Sequence, residues 1–287
     1  ISEQPILSGR AYTLAEQMRD MGYGTFAVCS NQHLSAKYGM SQGFGRFVGE
    51  AFSKMPFPEL ALEALSSDMS ASGRRFVWLH YFDPHHPYGA VHPWFDEWND
   101  SGFDDYTALA NDAVSRYFRR RHHIDGDAPL PLDACVPIYN RSVAMRGSLP
   151  ANFFADYEGD AAPPEGSPES RYLKFLSAAY ASEVRSVDES IRRVFERLRI
   201  DDGDLVIVVA DHGEELMEHG RIGHRFLGSM SQSLVHVPML IRFPGNEGGG
   251  TAVDAPVSLI DIVPTIRGVL GQAPLAGLPG LDLSAQG

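Results

Sequence analysis

Two short segments concentrate groups able to do acid–base and metal chemistry. Asp211-His212-Gly213-Glu214 follows six consecutive apolar residues, Leu205 to Ala210. A carboxylate and an imidazole side by side after a buried strand offer two ligands to a divalent cation, and Gly213 lets the backbone turn tightly. The competing reading is structural: Asp211 caps a following helix and His212 packs on it. Glu218, His219 and His224 enrich the same loop with polar groups. The second segment, Asp83-Pro84-His85-His86-Pro87-Tyr88, ends the aromatic and β-branched run Phe76 to Phe82. Flanking prolines would hold His85 rigidly. A fixed imidazole, titrating near physiological pH, suits oxyanion binding or protonation of a leaving group. The alternative is a Pro-rich loop with incidental histidines. His80, inside the run, reads as mainly structural.

The elements that must carry these groups follow from periodicity. Leu14, Met18 and Met21 recur at helical spacing and stop at Gly22, and Thr25 to Cys29 is a short buried strand. Phe76 to Phe82 is the next strand. A long helix opens at Ser167-Pro168 and carries one apolar stripe through Tyr172, Leu176, Ala179, Val187, Ile191, Val194 and Leu198. Asp201, Asp202 and Gly203 end it. Leu205 to Ala210 reads as a strand covered on both faces, as in a parallel sheet. Met239 to Phe243 is another strand, and a last helix runs from about Ile260 to Leu270. Between Cys29 and Phe76 the chain reads as loop and short helix. Residues from about 89 to 170 lose clean periodicity and read as an insertion, helical in part near 105–120. Such a loop-rich segment suits substrate selection or a partner-facing surface equally. Strands alternating with helices predict a doubly wound α/β sandwich, with its site at the carboxyl ends of the strands.

Composition narrows the function classes. The 287 residues carry 24 Lys+Arg against 37 Asp+Glu, a net charge of −13, which argues against general nucleic-acid binding. No run approaches the roughly 18 apolar residues of a spanning helix. Two cysteines, Cys29 and Cys135, allow one bridge but no disulfide framework or thiolate cage.

Six ordered motifs resemble the sulfatase family of the alkaline phosphatase superfamily. They are WLHYFDPHHPY at 78–88, AYASEVRSVD at 179–188, ADHGEELMEHG at 210–220, GH at 223–224, VPMLIRFPG at 237–245 and DIVPT at 261–265. TLAEQMRDMGY at 13–23 and GF at 43–44 resemble the segment that follows the family's nucleophile helix. The resemblance implies a three-layer α/β/α sandwich around a mostly parallel sheet. It also implies one catalytic domain over residues 1–287, N-terminally incomplete, with the insertion at about 89–170.

It further implies a sulfuric ester hydrolase acting on a small-molecule or glycan sulfate ester. Asp211 and His212 match two metal ligands, holding calcium in sulfatases and manganese, magnesium or zinc in related phospho-hydrolases. His85 matches the histidine that contacts the sulfate and helps protonate the departing alcohol. His224 stands where the family places a Lys or His that binds sulfate oxygens, with His219 a further substrate-binding candidate. Glu214 is expected to cap or orient the loop. The family's Asp pair after its first strand, and its C-x-P-S-R or S-x-P-S-R nucleophile segment, have no counterpart. Cys135-Val136-Pro137 begins like that segment but continues with Ile138 and Tyr139, and Asp104-Asp105 and Asp201-Asp202 are misplaced pairs. No nucleophile is therefore assigned, and the isolated chain is expected to bind metal weakly and hydrolyse little. The alternatives are a phosphonate or phosphate-ester hydrolase, a phosphoethanolamine-type transferase, and a non-catalytic relative.

Overall fold

The computed structural model describes residues 6–49, 62, 65, 68, 69, 72–85, 88–102, 165, 166, 168–216, 218, 222–224 and 230–286. Helix α1 (Leu14–Asp20) is set by a capping box, in which Glu16 N–H donates to Thr13 Oγ1 and Thr13 N–H donates to Glu16 Oε2. This satisfies orphan donors of the first turn reciprocally. The helix delivers the chain into β1 (Gly24–Cys29), whose last five residues are all buried.

Strand β1 lies between β2 (Arg46–Val48) and β3 (Arg75–His80), parallel to both. One face is filled by Phe26 and Val28 with Leu62, Leu65 and Met69, and with Val194 and Leu198 from the end of the long helix. Phe44 stacks 6.0 Å from Phe76 and 5.9 Å from Trp78. Its position depends on Gly43, whose φ is +89° and where a Cβ would lie 2.4 Å from Glu16 N. Only glycine fits there. Cys29 is a free, buried thiol, and burial pushes its pKa up to about 11. Cys135 lies outside the described residues.

Helix α2 (Trp94–Trp98) packs on α3 (Pro168–Leu198) through Phe95, 5.1 Å from Phe175. The described start of the 89–170 segment is therefore docked on the long helix. The expected helix near 105–120 lies outside the described residues. Of the α3 stripe, Tyr172, Leu176, Ala179, Val194 and Leu198 are buried, while Val187 and Ile191 are half-buried. Helix α3 closes at Leu198, where Arg199 turns to φ +54° and Ile200 N–H donates to Phe195 O, ahead of the Asp201 to Gly203 stop.

Strand β4 (Val206–Val209) differs from expectation in its pairing. It runs antiparallel to β7 (Met239–Arg242), and Val209 is 37% exposed. An all-apolar run reports burial tendency and not strand direction, which is fixed by a partner 30 residues away in the chain. Strands β5 (Glu215–Leu216) and β6 (Ile222–Gly223) form an antiparallel hairpin between them. Helix α4 (Gln232–Val235) follows, and α5 (Ile262–Val269) comes last. The carboxyl ends of β3 and β4 each open into a loop carrying the singled-out histidines.

Because Phe26 is 4% exposed and belongs to the buried cluster, Phe26→Ala should cost about 3–5 kcal/mol in urea unfolding. A loss below 1 kcal/mol would mean that the β1 face is not the core.

Candidate active site

The loop after β3 is pinned by polar groups on α3. Gly89 N–H donates to Glu183 Oε1 at 2.6 Å, Val91 N–H to Ser182 Oγ at 3.1 Å, and Ser190 Oγ to Tyr81 Oη at 3.1 Å. Tyr88 packs edge-on to Tyr180 at 5.2 Å. Ser182, Glu183 and Ser190 are at most 3% exposed, so α3 buries a polar strip beside its apolar stripe. Buried polar side chains persist when hydrogen-bonded, and here the partner is the site loop.

The loop after β4 is fixed by close approach. Gly213 N–H donates to Leu234 O at 2.8 Å, and a Cβ on Gly213 would lie 2.0 Å from Ser233 O. The glycine is required because α4 packs onto its backbone, and its φ is outside the left-handed region. That corrects the tight-turn reading: the constraint is the space for α4. Asp211 caps no helix either. Its Oδ1 accepts from His212 N–H at 3.0 Å, and the chain continues into β5.

Hairpin register then explains the strongest contact of the site. Glu215 pairs with Gly223, so the residues just outside that pair, Glu214 and His224, are cross-strand neighbours. His224 Nδ1 donates to Glu214 Oε1 at 2.6 Å, and Tyr88 Oη donates to Glu214 Oε2 at 2.6 Å. Both carboxylate oxygens are thus engaged, one by each loop. The Glu214 side chain is 4% exposed. Burial pushes the Glu214 carboxyl up, but the His224 and Tyr88 hydrogen bonds and the nearby imidazoles outweigh it, leaving its pKa below the usual value. The Glu214 hydrogen bond raises the His224 pKa, against a smaller effect of burial. Burial pushes the Tyr88 phenol strongly up, so it remains a donor.

Four of the five singled-out residues converge here. The His85 ring lies 4.6 Å from that of His224 and 6.3 Å from that of His212, and His212 and His224 are 3.9 Å apart. His85 also packs on Phe82 at 4.3 Å. His212 Nδ1 donates to Gly213 O at 2.9 Å, leaving Nε2 for a ligand, and Nε2 is 3.7 Å from Asp211 Oδ1. Asp211 is 76% exposed at its side chain. An exposed carboxylate beside an imidazole whose second nitrogen is already occupied fits a divalent cation. Among the described residues, His212, Glu214 and His224 also bring one ligand atom each within 4.8 Å of one another. His219, His86 and Pro87 lie outside the described residues. His80, at the end of β3, is half-buried, its pKa lowered by burial.

A family model described as Sulfatase matches residues 7–272. The chain belongs to the sulfatase family. Among curated relatives, arylsulfatase K of Danio rerio is 35% identical over 115 residues, which is 39% of this chain and 21% of that protein. Steryl-sulfatase of Mus musculus is 32% identical over 118 residues, 37% of this chain and 18% of that protein. The matched stretches span about a fifth of those relatives, as these shares state. Among solved structures, BT4656, in complex with its substrate D-glucosamine-2-N,6-O-disulfate, aligns with TM-score 0.61 at 18% identity, over 98% of this chain and 65% of that one. The phosphonate monoester hydrolase of Agrobacterium radiobacter aligns with TM-score 0.62 at 20% identity, over 97% and 62%. These likenesses bear out the expected α/β fold. As a sulfatase-family chain it carries Glu214 as the group that sequence reasoning under-read. Its signal was the symmetric placement of Glu214 and His224 about a short hairpin.

In the metal-free chain, NMR titration should show His224 protonating above the usual imidazole value, and Glu214→Gln should bring it back down. The His224 contribution to stability is complete below the imidazole's unfolded value and fades as pH rises through its raised folded value. The Glu214 contribution is present above the carboxyl's unfolded value and fades as pH falls through its lowered one. An unshifted His224 would contradict the Glu214–His224 contact across the hairpin.

Proposed function

We propose that this chain serves the hydrolysis of a sulfate ester, of a small molecule or a glycan. Residues 1–287 act as one catalytic unit with an insertion at about 89–170, and the nucleophile comes from outside them. The observation that carries this reading is the meeting of His85, from the β3 loop, with His212 and His224, from the β4 loop, at ring distances of 6.3 and 4.6 Å respectively.

Asp211 and His212 would hold a divalent cation, calcium by family resemblance, which supplies Lewis-acid polarisation of the ester oxygens. His224, held by Glu214 and kept toward its protonated form, presents positive charge to the anion. Stabilising charge that builds on transferring oxygens is usually the largest catalytic contribution. His85, braced on Phe82, is placed to give a proton to the departing alcohol. That role is worth roughly 10²–10⁴-fold. His219 is assigned to substrate contact on its motif position alone. The family membership and the arylsulfatase relatives support this reading over a phosphate-directed one.

The full-length protein should turn over an aryl sulfate faster than the matching aryl phosphate. Asp211→Ala should abolish the activity, and His85→Ala should lower kcat about 10²–10⁴-fold, with less loss for substrates bearing a good leaving group. Turnover unaffected by Asp211→Ala, or a preference for the phosphate, would contradict the assignment.

A further inference from the structure

Strands β5 and β6 are two residues each, too short a hairpin to hold a side chain at its mouth by its own stability. His224 leaves that hairpin, and its Nδ1 donates to Glu214 Oε1 at 2.6 Å. A carboxylate engaged at one oxygen can still pivot about its last torsion, whose preferences are broad. Tyr88 Oη removes that freedom by donating to Oε2 at 2.6 Å, which fixes the carboxylate plane at both corners. The phenol is itself held by α3. Tyr88 is 1% exposed and lies edge-on to Tyr180 at 5.2 Å. The next residue is tied to the same helix, with Gly89 N–H donating to Glu183 Oε1 at 2.6 Å and Ser182 Oγ donating to Gly89 O at 3.4 Å. Contact therefore runs from a 31-residue helix through a phenol and a carboxylate to an imidazole. Satisfying a buried acceptor needs no more than a water, whereas a donor clamped to a long helix also imposes a direction.

We propose that Tyr88 is a positioning residue for ester hydrolysis: acting through Glu214, it fixes the direction of the His224 imidazole and so aims Nε2 at the sulfate oxygens. This rests on the sulfatase reading of His224. In this role the phenol transfers no proton and meets no substrate. Its hydroxyl works through two hydrogen bonds in series, and its place three residues after His85 keeps the His85 and His224 rings in register at 4.6 Å.

Tyr88→Phe removes the hydroxyl and keeps the ring. In the full 287-residue chain, the His224 Nδ1 proton should then exchange with water about tenfold faster by NMR, the loss expected of one hydrogen bond to a charged group. In the full-length protein, kcat for an aryl sulfate should fall about 10–100-fold, as misplaced groups and lost supporting contacts cost. Tyr81→Phe, which frees the same loop from Ser190 without touching Glu214, should keep kcat within about threefold. Far-UV circular dichroism checks each fold. If Tyr88→Phe unfolds, the pair with Glu214→Gln decides, since adding Tyr88→Phe to Glu214→Gln should change kcat less than about threefold. Either readout unchanged in Tyr88→Phe overturns the proposal. So does an equal loss in Tyr81→Phe, or a further fall of the same size in the pair. A full-length protein that cleaves no sulfate ester, with proton exchange still responding to Tyr88→Phe, would overturn the functional reading and leave the Tyr88–Glu214–His224 linkage standing.

Discussion

A buried carboxylate needs partners for both oxygens, and Glu214 finds one on each of two loops that approach the site from different strands. Tyr88 comes from the segment after β3, and His224 from the hairpin after β4. With 4% of its side chain exposed, Glu214 remains charged only because donors replace the lost water. That requirement couples the loops: moving either one strands an acceptor. The placing of His85 against His224 follows from the same coupling, since His85 lies three residues before Tyr88 in a segment anchored at both ends.

The anchoring reaches back into the fold through α3. Its apolar stripe ties the C-terminal end of the helix to the β1 face, while Ser182 and Glu183 hold the backbone at Gly89 and Val91. One rigid helix thus spans the distance from the core to the site loop. On the other side, α4 packs against the backbone of Gly213, next to His212. The candidate groups sit on loops whose described residues are anchored by these contacts.

Much of this was legible in the residues, and the parts that were not share a cause. Helix α1, strand β1, the long stripe of α3 and the loaded ends of two strands all follow from local periodicity, which is written in adjacent residues. The antiparallel pairing of β4 with β7 was missed because direction depends on a distant partner, and Val206 to Val209 look alike in either arrangement. Gly213 was assigned a turn, but its requirement comes from Ser233, twenty residues on. The Glu214 role was only half seen, because a carboxylate near a histidine becomes a clasp only once hairpin register sets them opposite each other. Sequence pattern carried the candidate histidines, and tertiary contact supplied what holds them.

Sulfatase membership and this geometry together make one claim: the His85 loop and the Asp211–His212 loop face a single space where a cation and a tetrahedral anion meet. Anomalous diffraction from crystals of the protein soaked in tungstate, a sulfate-shaped oxyanion, tests it most directly. The account predicts tungstate density in hydrogen-bond contact with His85 and adjoining His212. Tungstate bound elsewhere, with the His85 imidazole turned away from His212 and His224, would contradict it.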